Sequence, residues 1–170
     1  MKLVVLSGIK SEILSIAIII LSFIGMACRD SIPYSFITAP FMHGNFQHFS
    51  GNIMIFLMLS PAVEKHYGRI NYICAFLYCA IVDYLFQTYV FNVIAIGLSG
   101  FVFALFMLNA FITKKGGISV CGIVLLFIYG SKEISGLFNN DGISHSGHLI
   151  GLAAGLSYAM LYNCFKRKEL

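Results

Sequence analysis

The stretch SGFVFALFMLNAFIT, residues 99–113, contains no charged residue and is closed by the pair Lys114-Lys115. Similar blocks fill the 170-residue chain nearly end to end, at 13–28, 49–63, 70–90, 99–113, 116–129 and 145–162, and the charges fall between them. Apolar residues make up 59% and charged residues 11% of the chain, where a soluble domain carries about 25% charged residues. Water is therefore not the solvent for most of this surface. Several blocks are shorter than the ~20 residues that cross a ~30 Å hydrocarbon core, so the competing arrangement has fewer spans and some buried core helices.

Charge placement favours six spans. With the N-terminus inside, the cytoplasmic segments hold Lys2, Lys10, Lys65, Arg69, Lys114, Lys115, Lys166, Arg167 and Lys168, while the outer loops hold only Arg29 and Lys132. That asymmetry is what the positive-inside rule expects, and removing any one span scrambles it. The expected fold is all-α: a polytopic membrane protein, one domain over 1–170, with six transmembrane helices and both termini cytoplasmic. The net charge of +4 then reflects topology and implies no nucleic acid. Lys2 and the apolar run after Lys10 resemble a signal peptide, but five further spans follow, so a retained first helix is expected. Cys28, Cys74, Cys79, Cys121 and Cys164 form no CxxC pair and read as small packing residues.

The longest stretch between blocks, residues 29–47, carries Pro33, Pro40 and the aromatics Tyr34, Phe36, Phe41 and Phe46. Such a loop is expected at the outer interface, where rings lie at headgroup depth. The sixth block has Gly147, Gly151 and Gly155, and the fourth has Gly100 and Ala104. Small residues at four-residue spacing let helix backbones approach closely, which predicts that helices four and six form a tight pair.

Polar side chains inside spans are costly and point to function. Four stand out: His48, Asn52, Ser99 and His148. Singly, each has a plain explanation: a helix N-cap for the serine, interhelical hydrogen bonding for the asparagine, packing for the histidines. Depth changes that reading. Ser99 lies 15 residues before Lys114, His48 lies 16 before Glu64 and His148 lies 18 before Lys166. At ~1.5 Å per residue these are heights of roughly 22, 24 and 27 Å, all within one turn. Asn52, at i+4 from His48, shares its face and tilts back toward the same level.

A serine hydroxyl becomes a useful nucleophile when a neighbouring base takes its proton, and a neutral imidazole suits that role. Ser99 opens a helix, beside unpaired first-turn N–H groups that favour a developing oxyanion. His48 and Asn52 add side-chain donors, and Gly97 and Gly100 keep Cβ atoms out of the way. Residues 91–98 must reach the surface without being a lipid-facing helix, which is tolerated only against protein or a water-filled cavity. No conventional third member is evident. Asp83, near the outer end of the third span, reads as a buried polar contact, so the expected unit is a Ser99–His148 dyad.

Three motifs now resemble one family. Gly97-Leu98-Ser99-Gly100 is similar to the GxSG signature of rhomboid proteases, opening a transmembrane helix as it does there. The run from His48 to Asn52 resembles their HxxxN motif, followed by Glu64 and Gly68, and His43 matches a histidine often found five residues earlier. His148 to Gly155 is similar to their HxxGxxxG stretch. A lone GxSG is weak, since soluble hydrolases use one too, but three motifs in order over residues 39–162 are specific. The resemblance implies a six-helix rhomboid-like bundle and an intramembrane serine endopeptidase without cofactor or metal. It casts Ser99 as nucleophile, His148 as base and then acid, and His48, Asn52 and the Ser99 amide as oxyanion donors. It also implies that Phe103 stacks on the catalytic histidine. The implied partners are the bilayer and single-span membrane proteins cleaved in or near their transmembrane segment.

The chain departs from the family pattern in having no Trp, hence no Trp-Arg pair in the first outer loop. Ser60-Pro61 replaces the usual glycines, and Pro61 is expected to kink the second span. His145, one turn before His148, is expected at the cavity mouth. The alternatives are an inactive rhomboid-like client-binding protein, a metal-dependent membrane protease built on His43, His48, His145 and His148, and a small transporter. The metalloprotease lacks an HExxH helix. With no appended soluble domain or transit peptide in view, a prokaryotic plasma membrane is the expected location.

Overall fold

The computed structural model describes residues 13–112, 119–139 and 142–168. Lys2, Lys10, Lys114, Lys115 and the start of the fifth block at Gly116 lie outside them, as do the side chains of Cys121, Arg167 and Lys168. Among the described residues there are six α-helices and no strand: α1 (Ile13–Ala27), α2 (Phe46–Tyr67), α3 (Arg69–Leu85), α4 (Ser99–Ala110), α5 (Val120–Gly136) and α6 (His145–Lys168). A π-helical turn, Phe86–Val90, prolongs α3, and two 3₁₀ turns, Arg29–Ser31 and Ala39–Phe41, shape the loop before α2. One described helix, Arg69–Val90, is long and apolar enough by itself to cross a membrane; α1 and α4 are apolar but shorter.

The helices are apolar on the outside. Phe23, Met58, Ile70, Phe127 and Phe165 are among many large apolar side chains left exposed, while Glu64, Gln87 and Glu133 are buried. In water that distribution is unfavourable; against lipid tails the outer apolar faces cost nothing and the polar groups need internal partners.

α4 is the centre. Every residue from Gly100 to Leu108 is buried, as a helix apolar on all sides must be. Its most extensive contact is with α6, the pair expected from the small residues. A Cβ at Gly151 would fall on the Gly100 carbonyl, and one at Gly155 on the Ala104 carbonyl. Backbone cannot retreat as a side-chain end can. Gly155→Leu is therefore expected to destabilise the bundle by about 1–3 kcal/mol, read as a lower denaturation midpoint in detergent. An unchanged midpoint would show that the two backbones do not meet there. Tyrosine hydroxyls tie this pair to its neighbours: Tyr67 of α2 donates to the Leu108 carbonyl of α4 (3.1 Å) and Tyr158 of α6 to the Asn71 carbonyl of α3 (2.8 Å).

At the other end of the bundle Glu64 caps α1. Its carboxylate accepts from the backbone N–H groups of Leu14 (3.1 Å) and Ser15 (2.8 Å) and from the Ser15 hydroxyl (2.6 Å). A carboxylate suits these first-turn donors and the positive end of the helix dipole. Ser60 joins this network through Ser15 and Tyr72, and α2 runs unbroken through Pro61. Two sequence expectations change. α5 continues seven residues past the apolar block, to Gly136, and carries Glu133 into the bundle. Of the four described cysteines, all free thiols, only Cys79 is buried; Cys28, Cys74 and Cys164 face outward.

Candidate active site

Ser99 is the first residue of α4, one position past Leu98, which holds the N-cap place. Because the serine is not at the N-cap position, capping does not account for it. The turn before it is held from below by the first loop. Gly97 N–H donates to the Ala39 carbonyl (2.9 Å), and Leu98 N–H donates to His43 Nε2 (3.4 Å). His43 in turn donates from Nδ1 to the Phe41 carbonyl (3.1 Å), which fixes the neutral tautomer whose Nε2 is an acceptor. Burial pushes this loop imidazole down to about 4, keeping it neutral. The sequence offered His43 as a motif match and as one ligand of the metalloprotease alternative; that it supports the serine turn depends on a contact 55 residues distant in sequence.

Gly97 has φ +119°, a conformation that side chains rarely adopt. A Cβ there would meet His48 Cε1 at 2.7 Å, His48 Nε2 at 2.9 Å and Asn52 Nδ2 at 3.5 Å. The i, i+4 pair on α2 therefore lies on one face, against the turn that delivers Ser99. α2 itself starts early enough to orient His48: Asn45 caps it, accepting from His48 N–H (2.8 Å). The His48 ring packs edge-on to His43, centroids 5.1 Å apart. Asn52 Nδ2 is buried without a hydrogen-bond partner among the described residues. An orphaned donor of this kind is costly in a packed interior, and this one sits beside the serine turn.

His148 lies in the first turn of α6 and stacks flat on Phe103, with centroids 4.1 Å apart and planes 9° from parallel. Phe103 is at i+4 from Ser99, so both are on the face of α4 that meets His148. The Ser99 hydroxyl makes no hydrogen bond among the described residues, His148 included. His148 Nδ1 is 2.8 Å from Glu133 Oε2, and His145 Nδ1 is 2.5 Å from the same oxygen. The three residues form a group whose donor atoms lie within 4.8 Å of one another. Glu133 escaped the sequence reading because Gly130-Ser131-Lys132-Glu133 looks like the start of a loop. Asp83, in contrast, accepts from Gln87 Nε2 (3.3 Å), and its carboxylate packs against Gly100 and Gly147. Gln87 extends that contact to Ser144 (3.1 Å) and Ser146 (3.3 Å), anchoring the start of α6.

The irregular residues 91–98 end in this site. Val93, Ile94 and Ala95 line an outer cavity of about 270 Å³ opposite Gly136, Ser144 and His145. His145 is thus at a cavity wall; Ser99 and His148 do not line it.

Fold and site together define a helical bundle that gathers a serine, a histidine and an unpaired amide at one end of its central helix. The Rhomboid domain model matches residues 31–164, about four-fifths of the chain, and the protein belongs to the rhomboid family. That places it among integral membrane proteins, in a family consisting mostly of serine intramembrane proteases with some inactive relatives. It is similar to a protein of Acanthamoeba polyphaga mimivirus provisionally named a rhomboid protein, at 27% identity over 88% of this chain and 87% of the relative. It resembles rhomboid-like protein 11, chloroplastic, of Arabidopsis thaliana at 25% identity over 78% of this chain, and an uncharacterized protein of Mycobacterium tuberculosis at 30% over 78%. The chain spans 53% of the Arabidopsis protein and 60% of the mycobacterial one. Viral and chloroplast-named relatives lend no support to a specifically prokaryotic membrane.

Proposed function

We propose that the protein is an intramembrane serine endopeptidase that cleaves single-span membrane proteins in or near their transmembrane segment, using Ser99 and His148. One observation carries this reading: His148 lies flat on Phe103, one turn along α4 from Ser99, so hydroxyl and imidazole share one face at one helix end. In unliganded sites the hydrogen bond between such groups is often long and tightens when substrate binds.

The chemistry follows from the placement. The Ser99 Oγ–C bond to the substrate carbonyl forms as the hydroxyl proton passes to His148 Nε2. The carbonyl oxygen gains negative charge, which the Ser99 N–H, His48 and Asn52 Nδ2 stabilise. That gives the orphaned amide its acceptor. His148 then returns the proton to the departing amine, and water releases the acyl group by the reverse sequence. Six spans with both termini cytoplasmic put this site near the outer leaflet. The long α2 and α6 and the irregular residues 91–98, set against a cavity, favour that arrangement.

The direct test is covalent. A serine-reactive fluorophosphonate is expected to label the purified protein in detergent, with the adduct mapped to Ser99 and absent from Ser99→Ala. An inactive client-binding relative or a transporter predicts no adduct in the unsubstituted protein, and a metalloprotease predicts loss of cleavage with chelator.

A further inference from the structure

We propose that Glu133 is a positioning residue for the Ser99–His148 pair, its carboxylate holding His148 in the tautomer that leaves Nε2 free as a base. The proposal rests on the protease reading above and adds a third group that the motifs do not contain.

Glu133 is 3% exposed, on the last turns of α5, with His148 Nδ1 2.8 Å from its Oε2. An ionised carboxylate can only accept, so Nδ1 must carry the hydrogen. A neutral imidazole then has its lone pair on Nε2. Phe103 fixes the ring plane and Glu133 fixes the rotation within that plane, so the two contacts together leave the imidazole little freedom. When Nε2 takes the Ser99 proton, the ring becomes cationic in a site largely closed to water. A carboxylate at hydrogen-bond distance offsets that charge where an unpaired imidazolium would be strongly disfavoured. The burial of Glu133 has the converse requirement, a donor partner, and His148 and His145 supply two.

The same three residues are also of types that hold a metal ion. The distances argue for hydrogen bonding. Two ligands of a tetrahedral zinc, each ~2.0–2.1 Å from the ion, stand ~3.3 Å apart. The 2.5 and 2.8 Å spacings at Glu133 Oε2 are both shorter than that, and the 2.8 Å one to His148 matches a charge-assisted hydrogen bond. Asp83 does not compete for the role, since its carboxylate is engaged with Gln87 in the π-helical turn that prolongs α3.

The experiment measures saturable fluorophosphonate labelling of Ser99 in detergent and separates the maximal rate kinact from the half-saturation constant KI. In Glu133→Gln, kinact is expected to fall about a hundredfold with KI changed by less than about twofold. A purely structural role would lower the labelled fraction and leave the rate of the remaining folded protein unchanged. If unsubstituted protein labels at Ser99 and Glu133→Gln labels within about threefold of its rate, the role of Glu133 is overturned and the dyad stands. If the unsubstituted protein does not label, both fall. Should Glu133→Gln fail to fold, nitrogen NMR of histidine-labelled unsubstituted protein decides: protonated Nδ1 on His148 supports the proposal, and protonated Nε2 overturns it. Labelling is also expected to be indifferent to EDTA; a rate that changes with chelator would replace the hydrogen-bonded arrangement with a metal site.

Discussion

His148→Ala, with Ser99 left in place, is expected to reduce cleavage of a reporter transmembrane substrate by about a thousandfold or more. On the proposed reading the serine hydroxyl loses its base, and at neutral pH it is a poor nucleophile without one. The fold is expected to survive: the imidazole contributes one stacked face against Phe103 and one of two donors to buried Glu133, His145 keeps the other, and the α4–α6 contact continues through Gly100, Gly151, Ala104 and Gly155. A circular dichroism spectrum and denaturation midpoint near those of the unsubstituted protein would establish that. Residual cleavage above about a tenth of the original rate would mean that another group takes the proton. His145 is the obvious candidate to examine next, since it shares Glu133 with His148.

Gly97→Ala is expected to be nearly as damaging, although it adds a single methyl group. At φ +119° a side chain is strained by about 1–3 kcal/mol. The added Cβ would also stand 2.7 Å from His48 Cε1, so the imidazole must move. Asn45 and His43 hold His48 from below, which leaves displacement of the serine turn as the alternative. Either shift spoils the alignment of oxyanion donors. Loss of one such donor typically costs 10²- to 10³-fold in rate, and a fall of about that size in kcat is expected, with a smaller fall in stability. Cleavage within about threefold of the original would show that the His48–Gly97 contact does not set the geometry of the oxyanion site.

Much of the candidate site was legible because its residues are expensive. A histidine, an asparagine and a serine inside apolar blocks need a reason, and counting residues from the charges that close the blocks gave them one expected depth. The structure places His48 and Asn52 together on one face against Gly97 and Phe103 on His148. The α4–α6 pair was legible too, since close backbone approach leaves a glycine spacing that nothing else demands. Glu133 was not. A Gly-Ser-Lys-Glu run at the end of an apolar block has the composition of a loop, and its helical continuation depends on partners 12 and 15 residues further on. Those partners come into reach only after α6 turns back against α5.

The amino-acid sequence by itself determined the solvent of this protein and the candidates for its reactive groups. Solvent preference is a sum over residues, and nucleophile, base and donors are side-chain properties that exist before folding. Which further residues meet them was decided by tertiary structure. The hydrogen bonds of Glu133 with His148, Leu98 with His43 and Gly97 with Ala39 are distance-dependent interactions between segments far apart in the chain. No local pattern encodes such a pairing, because its energy appears only when helix packing closes the gap to under about 3.5 Å.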